Sequence, residues 1–300
     1  MQAGRDDDDE KRNVQHAAGR ELLLAQTRAI DVLIHDMLSL DPDGTSSEVR
    51  VPMLMLQAAG TSIHSVLALT GERDMAIRDC FAIARSAVET SLNAAFVAAS
   101  GEPMAVKAVR HMRQKRWRDL RREGTAGPLS IAVSRNVGLA VDDLPGLREA
   151  LDEFTDGKGR ERPFWTKASV ANRVGAVTRR HRRAGLCLSV ATFAIYRPAS
   201  ELIHGSYYGV NLFWQGSRDA PVRGRREFDR LWMEEHFITL LTALFFAVSG
   251  AIDCIAEVNA LPHHARHQDE LSARLSELIE AMAGPDIDPD HTSETSPSRS

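Results

Sequence analysis

The chain has 300 residues, 43% of them hydrophobic and 26% charged, with a formal net charge of -4. This is the composition of an ordinary globular chain and excludes a collagen-like or wholly disordered polypeptide. Acid gathers at the ends, with five acids against three bases in residues 5–12 and four against one in 284–300. The body is therefore close to neutral, and no whole-protein field draws it toward nucleic acid or membrane.

Residues 1–14 and 284–300 are polar and of low complexity, too poor in apolar side chains to offset the entropy of ordering, and both are expected to be disordered. Cys80, Cys187 and Cys254 stand singly in apolar runs, without the paired spacing of a metal site or a disulfide framework, as core thiols of a reducing compartment do. The acidic start lacks the apolar region of a signal peptide, so a cytoplasmic location is expected.

Between the ends the dominant pattern is helical. Residues 21–40 repeat Leu and Ile at three and four residues and stop at Asp41-Pro42-Asp43-Gly44, a turn signal. Residues 51–69 form a second helix, opened by Pro52 near its first position. The third helix, 73–100, carries Ile77, Cys80, Phe81, Ala84, Val88, Leu92 and Ala95 on its apolar face. Arg78, Arg85 and Glu89 fall along one edge of that face. After Gly101-Glu102-Pro103 a strongly basic helix runs from 104 to about 123. Residues 125–143 are Gly-punctuated, with an SIAV run read as loop or isolated extended chain. Residues 147–154 and 169–183 are helical, 227–259 reads as one long helix, and 268–282 as a last amphipathic one. No segment sustains strand alternation. The expected fold is all-α: one bundle domain over residues 15–283, of about eight helices.

Residues 237–252 carry no charge over 16 positions, fewer than the roughly 20 a membrane span needs, and are read as a helix buried mid-bundle. Its expected hairpin partner is the stretch 185–204. That stretch opens the segment 185–214, which holds all three tyrosines, Tyr196, Tyr207 and Tyr208. Arg197, Ser200, Glu201 and His204 lie at helical offsets, one above the other on a single face. Pro198 disfavours the α conformation before it and removes a donor, so a restart or kink is expected there.

The Arg85-Ser-Ala-Val-Glu89 and Tyr196-Arg-Pro-Ala-Ser200-Glu-Leu-Ile-His204-Gly205 segments resemble a helical bacterial family filed as domain of unknown function 5677, over roughly residues 20–260. More distantly the chain is similar to the HEPN superfamily of helical prokaryotic proteins, many of them metal-independent ribonucleases of toxin and antiphage systems. Arg197 and His204 satisfy that superfamily's Arg-to-His motif with six intervening residues. The same gap recurs at Arg28 and His35, and Arg230 and His236 are separated by five. The second resemblance implies that His204 moves a proton and Arg197 stabilises a phosphorane, with Ser200 or Tyr207 orienting. It implies further a homodimer, an RNA substrate and an antitoxin-like protein partner, without a cofactor. The alternative is a non-catalytic binding or regulatory module, in which Arg85, Glu89, Arg197, Glu201 and His204 form one satisfied polar network pinning two helices together. Either way the Arg85 and Glu89 turn is expected to face the 197–204 turn.

The basic run 107–122 holds eight Lys/Arg, with Arg110, Arg113, Arg116 and Trp117 suited to tracking phosphates and stacking a base. A solvated helix face is the competing account. Residues 179–183 extend the basic surface or simply complement a helix C-terminus. His263, His264 and His267 come without an evident carboxylate, so no metal site is expected, and no Gly-rich phosphate loop, HExxH or GxSxG is present.

Overall fold

A computed structural model describes residues 3–134 and 138–283; the expected disordered tail 284–300 lies outside them. The fold is an all-α bundle. Its elements are α1 (Ala3–Leu40), α2 (Ser47–Leu69), α3 (Ile77–Ser100), α4 (Glu102–Asp119), β1 (Arg121–Ala126), β2 (Leu129–Ser134), α5 (Leu147–Phe154), α6 (Val170–Arg180), α7 (Arg182–Ile203), α8 (Tyr207–Gln215), α9 (Arg225–Leu231), α10 (Ile238–Val258) and α11 (His263–Ala283). A π-helical turn, Trp232–Phe237, joins α9 to α10 without interruption. Counting that run as one gives ten helices among the described residues, against about eight expected, because α8 separates from α7.

Several boundaries differ from the sequence expectation for local reasons. Helix α1 begins at Ala3, well inside the segment expected to be disordered. The Arg12–Asp9 pair at 3.1 Å and the Arg226–Asp8 pair at 3.4 Å lie along that extension. From residue 8 onward its first buried side chain is His16, which packs edge-on against Trp232 and Phe237. Helix α2 starts a turn early because the Ser46 hydroxyl caps it, accepting from the Val49 amide, so Pro52 sits inside the helix. The basic helix stops at Asp119, and residues 121–134 form a two-stranded antiparallel hairpin turning at Gly127-Pro128.

Helix α10 is the centre. From Leu240 to Ala256 it is buried at all but two positions, and it packs on α7, α3, α1 and α11. Three helices, α2, α7 and the continuous Arg225–Val258 run, are long and apolar enough by composition to cross a membrane; 78% of the apolar window of the last is buried inside the protein. The expected α7–α10 hairpin is present. At Gly250 an added Cβ would stand 2.8 Å from the Ala184 carbonyl oxygen and 2.8 Å from Leu188 Cγ. Register between α1, α10 and α11 is set by a buried amide cluster. Gln26 Nε2 donates to Ser249 Oγ and to Gln268 Oε1, both at 2.9 Å, while Gln268 Nε2 returns a bond of 3.1 Å to Gln26 Oε1.

Asp253 is the one acid in the buried span of α10. Arg183 approaches it at 3.1 Å, yet neither carboxylate oxygen has a well-aligned hydrogen bond. Burial dominates over Arg183 and pushes its carboxyl up from 3.8 to about 6.

Two outcomes follow from this packing. Gly250→Ala should destabilise the fold by about 1–3 kcal/mol in urea unfolding, since backbone crowding outweighs the gain of about 1 kcal/mol in helix propensity. The raised Asp253 pKa means that the native state binds the proton more tightly than the unfolded chain. Its contribution to stability is present below about pH 4 and lost as pH rises to about 6. The stability of Asp253→Asn relative to wild type should therefore grow between about pH 4 and about pH 7.5, by at most about 3 kcal/mol. Parallel denaturant melts of the two proteins measure it, and a difference independent of pH would contradict it.

Candidate functional site

Helices α3 and α7 run antiparallel: Arg78 Nη2 donates to the Leu202 carbonyl at 3.3 Å, and two turns on the Arg85 guanidinium lies over the Tyr196 ring, 5.1 Å from its centroid. The next turn of α3 meets α6. Glu89 accepts from Arg173 Nη2 at 3.3 Å, and the same guanidinium donates to Asn93 Oδ1. Arg173 is only 7% exposed, and its Nε has no partner. The Tyr196 hydroxyl is also buried without a well-formed hydrogen bond. Burial first, then the Glu89 charge, pushes the phenol up to about 12. Glu89 and Arg173 open onto a cleft of about 430 Å³, walled by Trp165 and the 163–170 segment.

Arg197 belongs elsewhere. Consecutive helical residues diverge by about 100°, so with Tyr196 turned to α3, Arg197 turns to solvent and to Tyr208, whose ring centroid is 5.4 Å from its guanidinium carbon. Helix α7 continues through Pro198. Glu201 accepts from the Ser206 hydroxyl, and Ser206 in turn caps α8 by accepting from the Gly209 amide at 3.0 Å. Gly209 is held so close that a Cβ there would lie 2.4 Å from the Glu201 carbonyl oxygen. His204 closes α7, its amide donating to the Ser200 carbonyl at 3.0 Å, and Gly205, at φ 62°, reverses the chain into α8. The His204 side chain is exposed, Ser200 is half-buried, and Tyr207 is 80% exposed.

The single network expected from the sequence is thus two clusters. The inner one joins Arg85, Tyr196, Glu89, Arg173 and Asn93; the outer surface carries Arg197 with Tyr208, Glu201 with Ser206, and His204. The Arg85 and Glu89 turn meets Tyr196, one residue before the expected Arg197. Arg173 was not singled out in the sequence, although the signal was there: it interrupts the Val170, Val174, Val177 stripe of α6, just as Arg197 interrupts α7. Of the other Arg-to-His spacings, His35 is exposed. His236 is buried, stacked on Phe213 at 5.2 Å and within 2.9 Å of the Phe213 carbonyl oxygen. Burial lowers its pKa.

The basic helix is partly neutralised by its neighbours. Lys107 and Arg110 pair with Glu153 at 3.6 and 3.3 Å, Lys115 pairs with Glu161, and Arg118 donates to the Gly159 carbonyl at 2.9 Å. Arg113, Arg116 and Trp117 line a cleft of about 670 Å³ with Leu139, Leu144 and Leu147. A further cluster joins α1 to the start of α11: His263 Nε2 and His264 Nε2 lie 2.8 and 2.9 Å from the same Asp36 oxygen. The sequence displayed the histidines but not their carboxylate, which stands 227 residues before His263.

Compared with protein families, curated proteins and solved structures, the chain matches none.

The inner cluster gives contrasting expectations. Glu89→Gln leaves the buried Arg173 guanidinium without a countercharge and should cost about 1–3 kcal/mol. Tyr196→Phe removes a buried hydroxyl that lacks a well-formed hydrogen bond, so it should leave stability unchanged or raise it by up to about 1 kcal/mol. Urea unfolding of both variants separates the cases.

Proposed function

We propose that the outer surface at the end of α7 binds and cleaves RNA without a metal ion, in the manner the HEPN-like resemblance implies. The observation that carries this reading is that Arg197 and His204 are exposed, and neither has a carboxylate partner among the described residues. A cation already satisfied by Glu89 or Glu201 would be unavailable to a phosphodiester; those two carboxylates are engaged by Arg173 and Ser206. Arg197 faces the charge that develops on phosphorus, and His204 removes the proton of the ribose 2'-hydroxyl or protonates the leaving oxygen. Tyr207, exposed one residue after the α8 cap, or Ser200 orients the substrate, and Arg113, Arg116 and Trp117 offer a second region of contact.

The same helix supports the homodimer. Leu186 and Phe193, seven residues apart on α7, are 65% and 90% exposed and lie on the helical face that carries Arg197 and His204. Exposed apolar stripes of this kind mark association surfaces. Packing two copies along it would bring two Arg197 and His204 sets to one interface, in a cytoplasmic defence setting with an antitoxin-like partner.

A second reading, a non-catalytic module that takes a small ligand, is favoured by the cleft beside Glu89, Arg173 and Trp165. One experiment divides the two. Purified protein is incubated in EDTA with single-stranded and structured RNA, and the product ends are analysed. Cleavage to 2',3'-cyclic phosphate ends that falls more than about 100-fold in Arg197→Ala and His204→Ala, with melting temperature unchanged, supports the nuclease. No cleavage by the wild-type chain would overturn it and leave the binding module.

A further inference from the structure

The geometry points to a binding site for a first-row divalent transition-metal ion formed by Asp36, His263 and His264, with zinc the natural probe. The three donor atoms, Asp36 Oδ2 and the two Nε2, lie within 4.8 Å of one another. Each nitrogen is 2.8 or 2.9 Å from the shared oxygen. Two ligands about 2.05 Å from one ion and at right angles to each other are about 2.9 Å apart, and at a tetrahedral angle about 3.3 Å. The side chains therefore accept an ion with movements of a few tenths of an ångström. Both imidazoles present the same nitrogen to the same point, with ring centroids 4.1 Å apart and planes 38° from parallel. A lone carboxylate hydrogen bond would need only one of them.

The setting is fixed before any ion arrives. His264 is 3% exposed and lies in the first turn of α11, which docks on α1. The chain reverses from α10 to α11 through Ala260, whose φ of 55° is the one positive value at a non-glycine among the described residues. His263 is half-exposed and gives a path from solvent. Two imidazoles and one carboxylate suit zinc, cobalt or nickel, whereas magnesium and calcium prefer all-oxygen sets. Three protein ligands leave at least one position for water. The bound ion would couple α11 to α1 across the chain, so its affinity appears directly as resistance to unfolding.

The test uses the untagged full-length chain, stripped with EDTA and dialysed, then titrated with Zn²⁺ by calorimetry and with Co²⁺ by visible absorption. Uptake of one equivalent, a higher melting temperature with Zn²⁺, and no competition from Mg²⁺ or Ca²⁺ are expected. His263→Ala, Asp36→Asn and His264→Ala should each weaken binding by more than about 10-fold, while His267→Ala, a nearby exposed histidine outside the set, should not. His263 is exposed enough for its variant to fold even if truncation of buried His264 disturbs the core. No saturable uptake by the wild-type chain, or uptake that the His263 and Asp36 variants leave unchanged, would overturn the site. Neither result bears on Arg197 and His204, whose assay is run in EDTA.

Discussion

The close approach of α7 to α10 at Gly250 is the constraint on which the remaining arrangement depends. With no side chain at that position, the α10 backbone comes against Ala184 and Leu188, and α10 can be enclosed by α7, α3, α1 and α11 together. Each large side chain enclosed there contributes roughly 1.5–3 kcal/mol relative to exposure, and Leu240, Leu241, Leu244, Phe245 and Ile252 are all fully buried. Once α10 occupies the centre, α7 has one face committed to it and another to α3. Its third face is left to solvent. Phe193, Arg197 and His204 are accessible for that reason, and the site hypothesis is a consequence of the core.

The two polar clusters show how a rotation of one residue divides structural work from exposed chemistry. Tyr196 belongs to the inner side of α7 and Arg197 to the outer, although both read in sequence as one polar patch within an apolar stretch. The inner cluster ties α6 to α3 through a guanidinium that is nearly dry, and α3 to α7 through Arg85 over the Tyr196 ring. The outer surface is cation-rich and incompletely paired. Buried charge requires a countercharge, and Arg173 holds Glu89, the carboxylate expected to share a network with Arg197.

The fold class and the central hairpin were legible because helical periodicity and an uncharged run of 16 residues are local signals. Pairing of side chains was not. The partner of Glu89 lies 84 residues on, and Asp36 meets His263 across 227, so no spacing rule reaches either. The hairpin at 121–134 was legible only as one option for the SIAV run, for a different reason: Gly124 lies in β1, and the described side chains are exposed, Leu129 and Ile131 more than 60%, so burial imposed no alternation there. At Pro198 the chain does not restart: α7 runs through it to Ile203, packed on α3 and α10.

The π turn at Trp232–Phe237 has a consequence for how this region can change. Buried residues recur there at intervals of four, at Phe228, Trp232, His236, Leu240 and Leu244. In a straight α-helix each such interval over-rotates by about 40°, so the row would wind off the core within three turns. The wider turn takes up that excess and keeps His236 stacked on Phe213 while α10 stays centred. What is fixed in this segment is therefore its length. Loss of a single residue would leave a regular helix but swing α9 by about 100° about its own axis, carrying Phe228 out from under Phe213 and Trp214. Drift in residue type can be absorbed here by repacking, whereas a one-codon deletion would have to be matched by a compensating insertion in the same helix.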